Sequence, residues 1–440
     1  MISTGMLLWE TELSTDADPP ATWNPARYDT ALVVARFHGQ AIGQVRLDLV
    51  DGCRTEPEVK SFVRQEVSAA IDEHLRFDSE GGESQDQPAC LAARLEALAD
   101  APPLTVVIPT RDRPDRLRRC LTSLIGGSYP KELLRILIVD NASTSDETKR
   151  VVEEFRDVVS IKYLFEERSG SASARNRALP EIETEFVVFT DDDTRLDEHW
   201  LIEIVRGFWS DDQADVVSGL LLPSNLETPA QVWFEEYGGF SRGFSRRVFD
   251  VRAYWPLDEP LLPFSAGLFG TGNNMALRTS TLREIGGFDP GLGNGTPALG
   301  GVDSEALLRS VLLGHRLVYQ PTAILYHEHR REFEALKRQV FSYGTGLSAQ
   351  LCKTLWNNPR LIRLFLQLLP RGIAFEADPR SKKNAHKSTE YPRALTFAEW
   401  KGIAYGPVAY LRTRRVYGRH VPPKAVPEAS RRPRHSSRPL

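Results

Sequence analysis

Phe186-Val187-Val188-Phe189-Thr190-Asp191-Asp192-Asp193 is a short apolar run that ends in three adjacent carboxylates. Four consecutive large apolar residues suit a strand buried on both faces, the kind found in parallel sheets. Three neighbouring carboxylates repel one another unless solvent screens them or a cation shares them. A solvated acidic turn would explain the triplet by itself. Its place directly after a buried strand favours a ligand site, because open α/β sheets hold ligands at the carboxyl ends of their strands. Oxygen donors suit a hard divalent ion, Mg²⁺ or Mn²⁺, which can bridge to phosphates and neutralise a diphosphate.

Upstream, residues 104–108, 135–139 and 161–165 read as further strands, with helices at 144–155 and 171–179 between them. Pro114 opens another helix, with Leu117, Leu121, Leu124 and Ile125 on one face. Strands that alternate with amphipathic helices imply a mostly parallel sheet. The polar clusters Pro109-Thr110-Arg111-Asp112 and Asp140-Asn141-Ala142-Ser143 follow the first and second strands. With the acidic triplet after the fourth, all three should meet on one rim. Downstream, 216–219 and 273–277 read as shorter strands and 303–313 as a helix before Gly314, so the sheet becomes mixed. The expected class is α/β, a Rossmann-like mixed sheet flanked by helices.

The 440 residues suggest two or three domains, and 41% hydrophobic with 26% charged residues is a soluble globular balance. Residues 1–77 form a small N-terminal α+β domain, with strands at 31–36 and 42–49 and a helix at 59–75. Residues 78–101 have linker composition, 102–332 carry the α/β core, and 333–420 form a helical extension with breaks at Pro370 and Pro407. Residues 421–440 read as a disordered basic tail. Cys53, Cys90, Cys120 and Cys352 have no paired spacing that suggests a zinc knuckle or a disulfide framework. With no basic leader segment and no apolar run of about 18 residues, a cytoplasmic protein is expected. From residue 371 onward, 16 Lys and Arg face 5 Asp and Glu. That basic segment, with the apolar stretch 402–411 beside Arg412, Arg414 and Arg415, could bring the protein to the inner face of a membrane; a packed helix is the alternative.

Six segments in order resemble family 2 glycosyltransferases of GT-A fold. They are Val106-Val-Ile-Pro-Thr-Arg-Asp-Arg-Pro, Ile138-Val-Asp-Asn-Ala-Ser, Gly170-Ser-Ala-Ser-Ala-Arg-Asn, Phe189-Thr-Asp-Asp-Asp, Gly286-Gly-Phe-Asp and Gly300-Gly-Val-Asp. The resemblance covers about residues 104–332. It implies that Pro109, Thr110 and Asp140 hold the nucleoside, with Asp140 accepting from the base, and that Arg175 and Asn176 lie beside the nucleotide. Arg111, Asn141, Gly170 and Asp192 belong to the matching segments of the same nucleotide-sugar site. Asp191 and Asp193 take the outer positions of the family's Asp-x-Asp motif at a Mn²⁺ or Mg²⁺ ion, and His327 can complete that metal site.

Asp303 would be the general base that deprotonates an acceptor hydroxyl. The family often has an acidic residue just before it, where this chain has Val302. Helix N-capping is the structural alternative for both Asp140 and Asp303, and a surface pair for His327 and His329. The aromatic stretch with Phe234, Tyr237, Phe240, Phe244, Trp255 and Phe264 would be either a sugar-facing loop or a small core. Gly270-Thr271-Gly272 lacks the third glycine of a dinucleotide fingerprint, and no phosphate-loop motif occurs.

The implied activity is inverting transfer of a hexosyl-type sugar from a nucleotide-diphosphate donor to a saccharide or lipid-linked hydroxyl, as in cell-envelope polysaccharide synthesis. No nucleic-acid partner is expected. A sugar nucleotidyltransferase and a non-catalytic saccharide- or nucleotide-binding protein on the same fold are the competing readings.

Overall fold

In a computed structural model, the described residues are 5–15, 28–49, 55–80, 87–211, 213–251, 259 and 261–420. The expected tail at 421–440 and Trp255 lie outside them. A three-stranded sheet comes first: β1 (Leu7–Glu12) is parallel to β2 (Thr30–Phe37), which is antiparallel to β3 (Gln40–Asp48). Helices α1 (Glu56–Glu66) and α2 (Ser68–Glu80) cover it, with Val59, Val63, Val67 and Ile71 packed among Trp9, Val33, Phe37 and Leu47. The single helix expected here is divided at Val67. The segment of linker composition contains α3 (Ala89–Ala99), which packs on the core rather than spanning open space.

Parallel strands β4 (Leu104–Thr110), β5 (Leu134–Asn141), β6 (Ser160–Glu166) and β7 (Phe186–Phe189) form one side of a larger sheet, in the order β7-β4-β5-β6. β4, β5 and β7 are largely apolar runs bounded by polar residues, and helices α4 (Pro114–Ile125), α5 (Glu147–Glu154) and α6 (Ser171–Ala178) return the chain between the strands. The other side is mixed, as expected. Beyond β8 (Thr194–Leu196), α7 (Trp200–Trp209), β9 (Ala214–Pro223), α8 (Pro229–Tyr237) and β10 (Arg247–Phe249), strand β11 (Met275–Arg278) runs antiparallel to both β7 and β9. After α9 (Thr279–Glu284) and α10 (Val302–Leu312), strand β12 (Arg316–His327) is parallel to β9 and antiparallel to β8 and β10. Phe189, Val187 and Leu277 face one apolar cluster; Val188, Ala276 and Val217 face another. The middle of the sheet is thus buried on both faces, which is why β4, β7, β9 and β11 carry no polar alternation, whereas the edge strand β6 exposes Ser160, Lys162 and Phe165.

Arg36 ties the small sheet to the large one. It donates to Glu10 at 2.8 Å and Asp197 at 2.7 Å, and also reaches Tyr326 Oη. Glu203 of α7 is fully buried, and its charge is tolerable because Arg94 of α3 reaches it at 2.8 Å and Arg206 at 2.9 Å.

Helices α11 (Phe333–Asn357), α12 (Leu361–Ala377) and α13 (Arg393–Tyr417) complete the fold. Neither Pro370 nor Pro407 breaks its helix; they lie inside α12 and α13. A proline forfeits one N–H bond, and α13 is held across that loss by packing on α11. The two backbones touch: a Cβ on Gly402 would lie 2.2 Å from the Phe341 carbonyl. Gly402, Gly406, Ala409 and Tyr410 are therefore buried, so the stretch suggested for membrane contact has a packed face. Helix α12 instead exposes Ile362, Leu364, Leu366, Leu369 and Ile373. Among the described residues, no helix is long and apolar enough to cross a membrane.

Candidate active site

After β7 the chain turns within four residues. Thr190 N–H donates to Val107 O at 3.2 Å, and Thr194 Oγ1 donates to Asp191 O at 2.8 Å. Strand β8 then pairs with β12, Thr194 opposite His327, while Glu328 N–H donates to Asp193 O at 3.2 Å. This stitching brings the acidic triplet against the end of β12 and aims its carboxylates in three directions.

Asp192 points inward, accepting from Thr110 Oγ1 at 2.7 Å and from Arg113 at 3.1 Å. Burial raises its pKa, with Asp193 adding to the effect and Arg113 opposing it. Asp193 Oδ1 lies 3.7 Å from His327 Nε2, and its Oδ2 lies 3.5 Å from Arg113 and 3.6 Å from Arg116. Burial alone would raise its pKa, yet His327, Arg113, Arg330 and Arg116 together hold it below the usual carboxylate range. Asp191 faces Arg175 at 3.3 Å. Loss of hydration pushes its carboxyl up to about 6 against the pull of Arg175, helped by Asp193, Asp192 and Asp303.

His327 Nδ1 lies 3.0 Å from His329 Nδ1, and His329 Nε2 lies 2.7 Å from Glu235 Oε1 of α8. An ionised Glu235 only accepts, so a neutral His329 donates from Nε2 and offers Nδ1 as acceptor. His327 must then donate from Nδ1, which leaves its Nε2 lone pair facing Asp193. Burial keeps His327 neutral by lowering its pKa to about 4, although Asp193 pulls the other way. Phe240 packs on His327 with ring centroids 4.9 Å apart, and Phe234 on His329 at 4.6 Å. Phe234, Tyr237 and Phe240 therefore serve a small core with α11, while Phe244 packs on the main core and Phe264 on Phe365.

Asp303 is the second residue of α10 but does not cap it. The N-cap is Gly301, at φ +81°, and Asp303 Oδ2 accepts the Gly272 N–H at 2.7 Å. Gly272 O in turn accepts from Arg175 at 3.2 Å, and Arg175 reaches Asp191. The four residues form one hydrogen-bonded line from the acidic triplet to the head of α10. A Cβ on Gly272 would meet Asp303 Cβ at 2.7 Å and the Arg175 guanidinium at 2.9 Å, so any side chain here must push one of them aside. That is the use of Gly270-Thr271-Gly272, which fits no nucleotide fingerprint. Behind it, buried Lys353 sits 2.7 Å from Asp289 and 2.9 Å from Glu305, and Glu305 pairs with Arg309 at 3.0 Å; this cluster fixes α10.

At the far end of the rim, Asp140 is fully buried at the end of β5. Its Oδ2 accepts from Tyr163 Oη at 2.8 Å, and its Oδ1 has no partner. It is no helix cap. A buried carboxylate oxygen without a partner is costly and is the atom a donor on a ligand would satisfy. Asn141 holds the loop before α6, accepting from Gly170 N–H at 2.8 Å and donating to Arg168 O at 2.7 Å. Gly170 has φ +141°, which favours glycine. Arg111 is half exposed and donates to Ser169 at 2.8 Å, next to the partly buried Pro109. Asn176 lies elsewhere: its amide bonds both ways to the Phe288 backbone, donating at 2.7 Å and accepting at 2.8 Å. It braces the Gly286–Asp289 turn, and both amide ends are already used.

Asp193 and His327 offer oxygen and nitrogen donors on facing elements, with Asp191 beside them, a set that fits a hard divalent ion. Among the described residues, however, Asp191, Asp193 and His327 do not bring three donor atoms within 4.8 Å of one another; Asp191 is turned toward Arg175.

The family model for glycosyl transferase family 2 matches residues 105–285, which contain Asp140 and the acidic triplet. Residues 105–285 are a family 2 glycosyltransferase domain. The pre-mycofactocin glycosyltransferase of Mycobacterium tuberculosis is 28% identical over 245 residues, 55% of this chain and 46% of that protein. Validoxylamine A glucosyltransferase of Streptomyces hygroscopicus subsp. limoneus is 27% identical over 326 residues, 70% of this chain and 66% of that one. The chain thus spans about half the length of the first relative. Among solved structures, a mannosyltransferase of Pyrobaculum calidifontis in complex with GDP-Man and Mn²⁺ is 19% identical, with a TM-score of 0.45 and coverage of 74% of this chain and 88% of that one.

Proposed function

We propose that the family 2 domain is an inverting glycosyltransferase that moves a sugar from a nucleotide-diphosphate donor to a hydroxyl on a saccharide or lipid-linked acceptor. The observation that carries this is the line Asp303–Gly272–Arg175–Asp191, which couples a candidate base to the acidic triplet. Glycosyltransferase and glucosyltransferase relatives support the activity.

Asp140 Oδ1 accepts an N–H of the base, and Arg111 and Arg175 supply positive charge for the diphosphate. Asp191, Asp193 and His327 would hold Mn²⁺ or Mg²⁺. When bound, such an ion neutralises the charge that develops on the leaving diphosphate. Asp303 takes the proton of the acceptor hydroxyl as that oxygen bonds to the anomeric carbon and the bond to the diphosphate breaks. The base and the leaving group lie on opposite sides of the carbon, so a single displacement inverts it. The exposed apolar face of α12, with Arg363 and Arg371 on the same helix, would suit a lipid-linked acceptor at a membrane surface. Replacing Asp303 with Asn tests the assignment: transfer should be abolished while donor binding persists, and undiminished turnover would remove Asp303 from the chemistry.

A further inference from the structure

Apart from the acidic triplet, the N-terminal unit gathers a second set of donor atoms. His38 lies in the turn between β2 and β3, at φ +50°. His74 and Asp78 stand one turn apart on α2, and Cys90 lies in the first turn of α3. Asp78 Oδ2 is 3.0 Å from His38 Nδ1, 3.4 Å from His74 Nε2 and 3.5 Å from Cys90 Sγ; Cys90 Sγ is also 3.5 Å from His38 Nδ1. All four donor atoms fall within 4.8 Å of one another.

These separations have the size of a tetrahedron's edges. Metal–nitrogen and metal–oxygen bonds of about 2.0–2.1 Å give edges of roughly 3.3 Å, and a bond to sulfur of about 2.3 Å gives roughly 3.5 Å. His74 Nε2 is buried and makes no hydrogen bond, the mark of a nitrogen placed for another partner. Asp78 Oδ1 accepts the Cys90 N–H at 2.8 Å, which fixes the carboxylate while Oδ2 faces the other three donors. Phe37 packs on both imidazoles, with ring centroids 4.4 Å from His38 and 5.3 Å from His74.

We propose that His38, His74, Asp78 and Cys90 form a closed structural site for Zn²⁺. Two nitrogens, one oxygen and one sulfur suit this borderline ion better than Mg²⁺ or Mn²⁺. On binding, Cys90 loses its proton to solvent. The thiolate and the Asp78 carboxylate then balance the charge of the ion, leaving a neutral, partly buried centre. Four protein ligands leave no open position for substrate. The ion joins the β2–β3 turn to α2 and α3, and α3 carries Arg94 to Glu203 of the catalytic core, so it fastens the N-terminal unit to the transferase domain.

The test is metal analysis of the full chain after dialysis against a weak chelator, followed by exchange of the bound ion for Co²⁺. About one zinc per chain is expected, with a sulfur-to-cobalt charge-transfer absorption and the intense visible bands of tetrahedral cobalt. Cys90→Ser should lose the charge-transfer absorption and His74→Ala the tight zinc, while Asp193→Ala keeps both. Absence of zinc together with absence of the charge-transfer absorption in the wild-type chain would overturn the proposal without any variant having to fold. Retention of that absorption in folded Cys90→Ser would overturn it as well.

Discussion

His327 and His329 face each other Nδ1 to Nδ1 at 3.0 Å, and only one of those nitrogens can carry a proton if both rings are neutral. Glu235 decides which, by accepting the hydrogen bond from His329 Nε2–H. His327 is thereby left with its Nε2 lone pair toward Asp193. Glu235→Gln can donate as well as accept, and it removes the charge that selects this tautomer. Mn²⁺ affinity should fall about 10- to 100-fold, with metal-free nucleotide affinity little changed. Titration with Mn²⁺ followed by calorimetry measures both, and unchanged metal affinity would mean that Glu235 only packs.

Gly272 separates Arg175 from Asp303 by the width of one backbone. The methyl group of Gly272→Ala would have to displace Asp303 or the guanidinium, since neither leaves the space. A displacement of about 1 Å at a reacting group costs on the order of 10²-fold in kcat. If Asp303 is the group that gives way, KM for the donor should move much less; if Arg175 gives way, KM should rise as well. Steady-state kinetics at saturating donor checks the split, and equal kcat values for the two proteins would show that the line through Gly272 is not part of the chemistry.

Asp140 Oδ1 is buried without a partner, so a base donating to it gains a charge-assisted bond. Replacement by Asn keeps the shape but removes the charge and turns part of the group into a donor. Nucleotide affinity should weaken by about 1–3 kcal/mol, roughly 5- to 150-fold, with the melting temperature little altered. Calorimetric binding of UDP and GDP to both proteins gives the answer; identical affinities would move the base elsewhere on the rim.

Lys353, Asp289 and Glu305 form a buried charge cluster under α10. Burial acts to raise the pKa of Glu305, yet Arg309 and Lys353 hold it at about 2, against an ordinary value of 4.5. The sign follows: Glu305 contributes stability that is fully present above pH 4.5 and is lost as the pH falls toward about 2. Removing Lys353 as Met should destabilise the fold by about 3–5 kcal/mol and move acid unfolding to higher pH. Circular dichroism against denaturant and pH would reveal either shift. A variant as stable as the wild type would show that α10 is held by its apolar contacts alone.

The strands and their rim were legible because a buried parallel strand is a plain apolar run and the polar cluster after it marks its carboxyl end. Phe186–Phe189 and Leu104–Thr110 lie where that pattern puts them. What the pattern cannot carry is pairing at a distance. Glu235 is 94 residues from His329 and looks like any polar residue of an amphipathic helix. Asn176 stands in a matching motif, but its amide serves Phe288, a backbone contact that leaves no local sign. Pro370 and Pro407 signal breaks, and the packing of α13 on α11 overrides the second. Cys90 has no paired cysteine, so its partners His38, His74 and Asp78 emerge only when three elements converge.

Donor activation at the acidic triplet is read most directly as nucleotide release by the purified chain. UDP-, GDP- and dTDP-sugars would each be supplied with Mn²⁺, with and without chelator, and with Asp193→Ala in parallel. Donor activation there requires release from one donor class that needs both the metal and Asp193. Release that survives the chelator and the substitution, or no release and no binding with any donor, would contradict it.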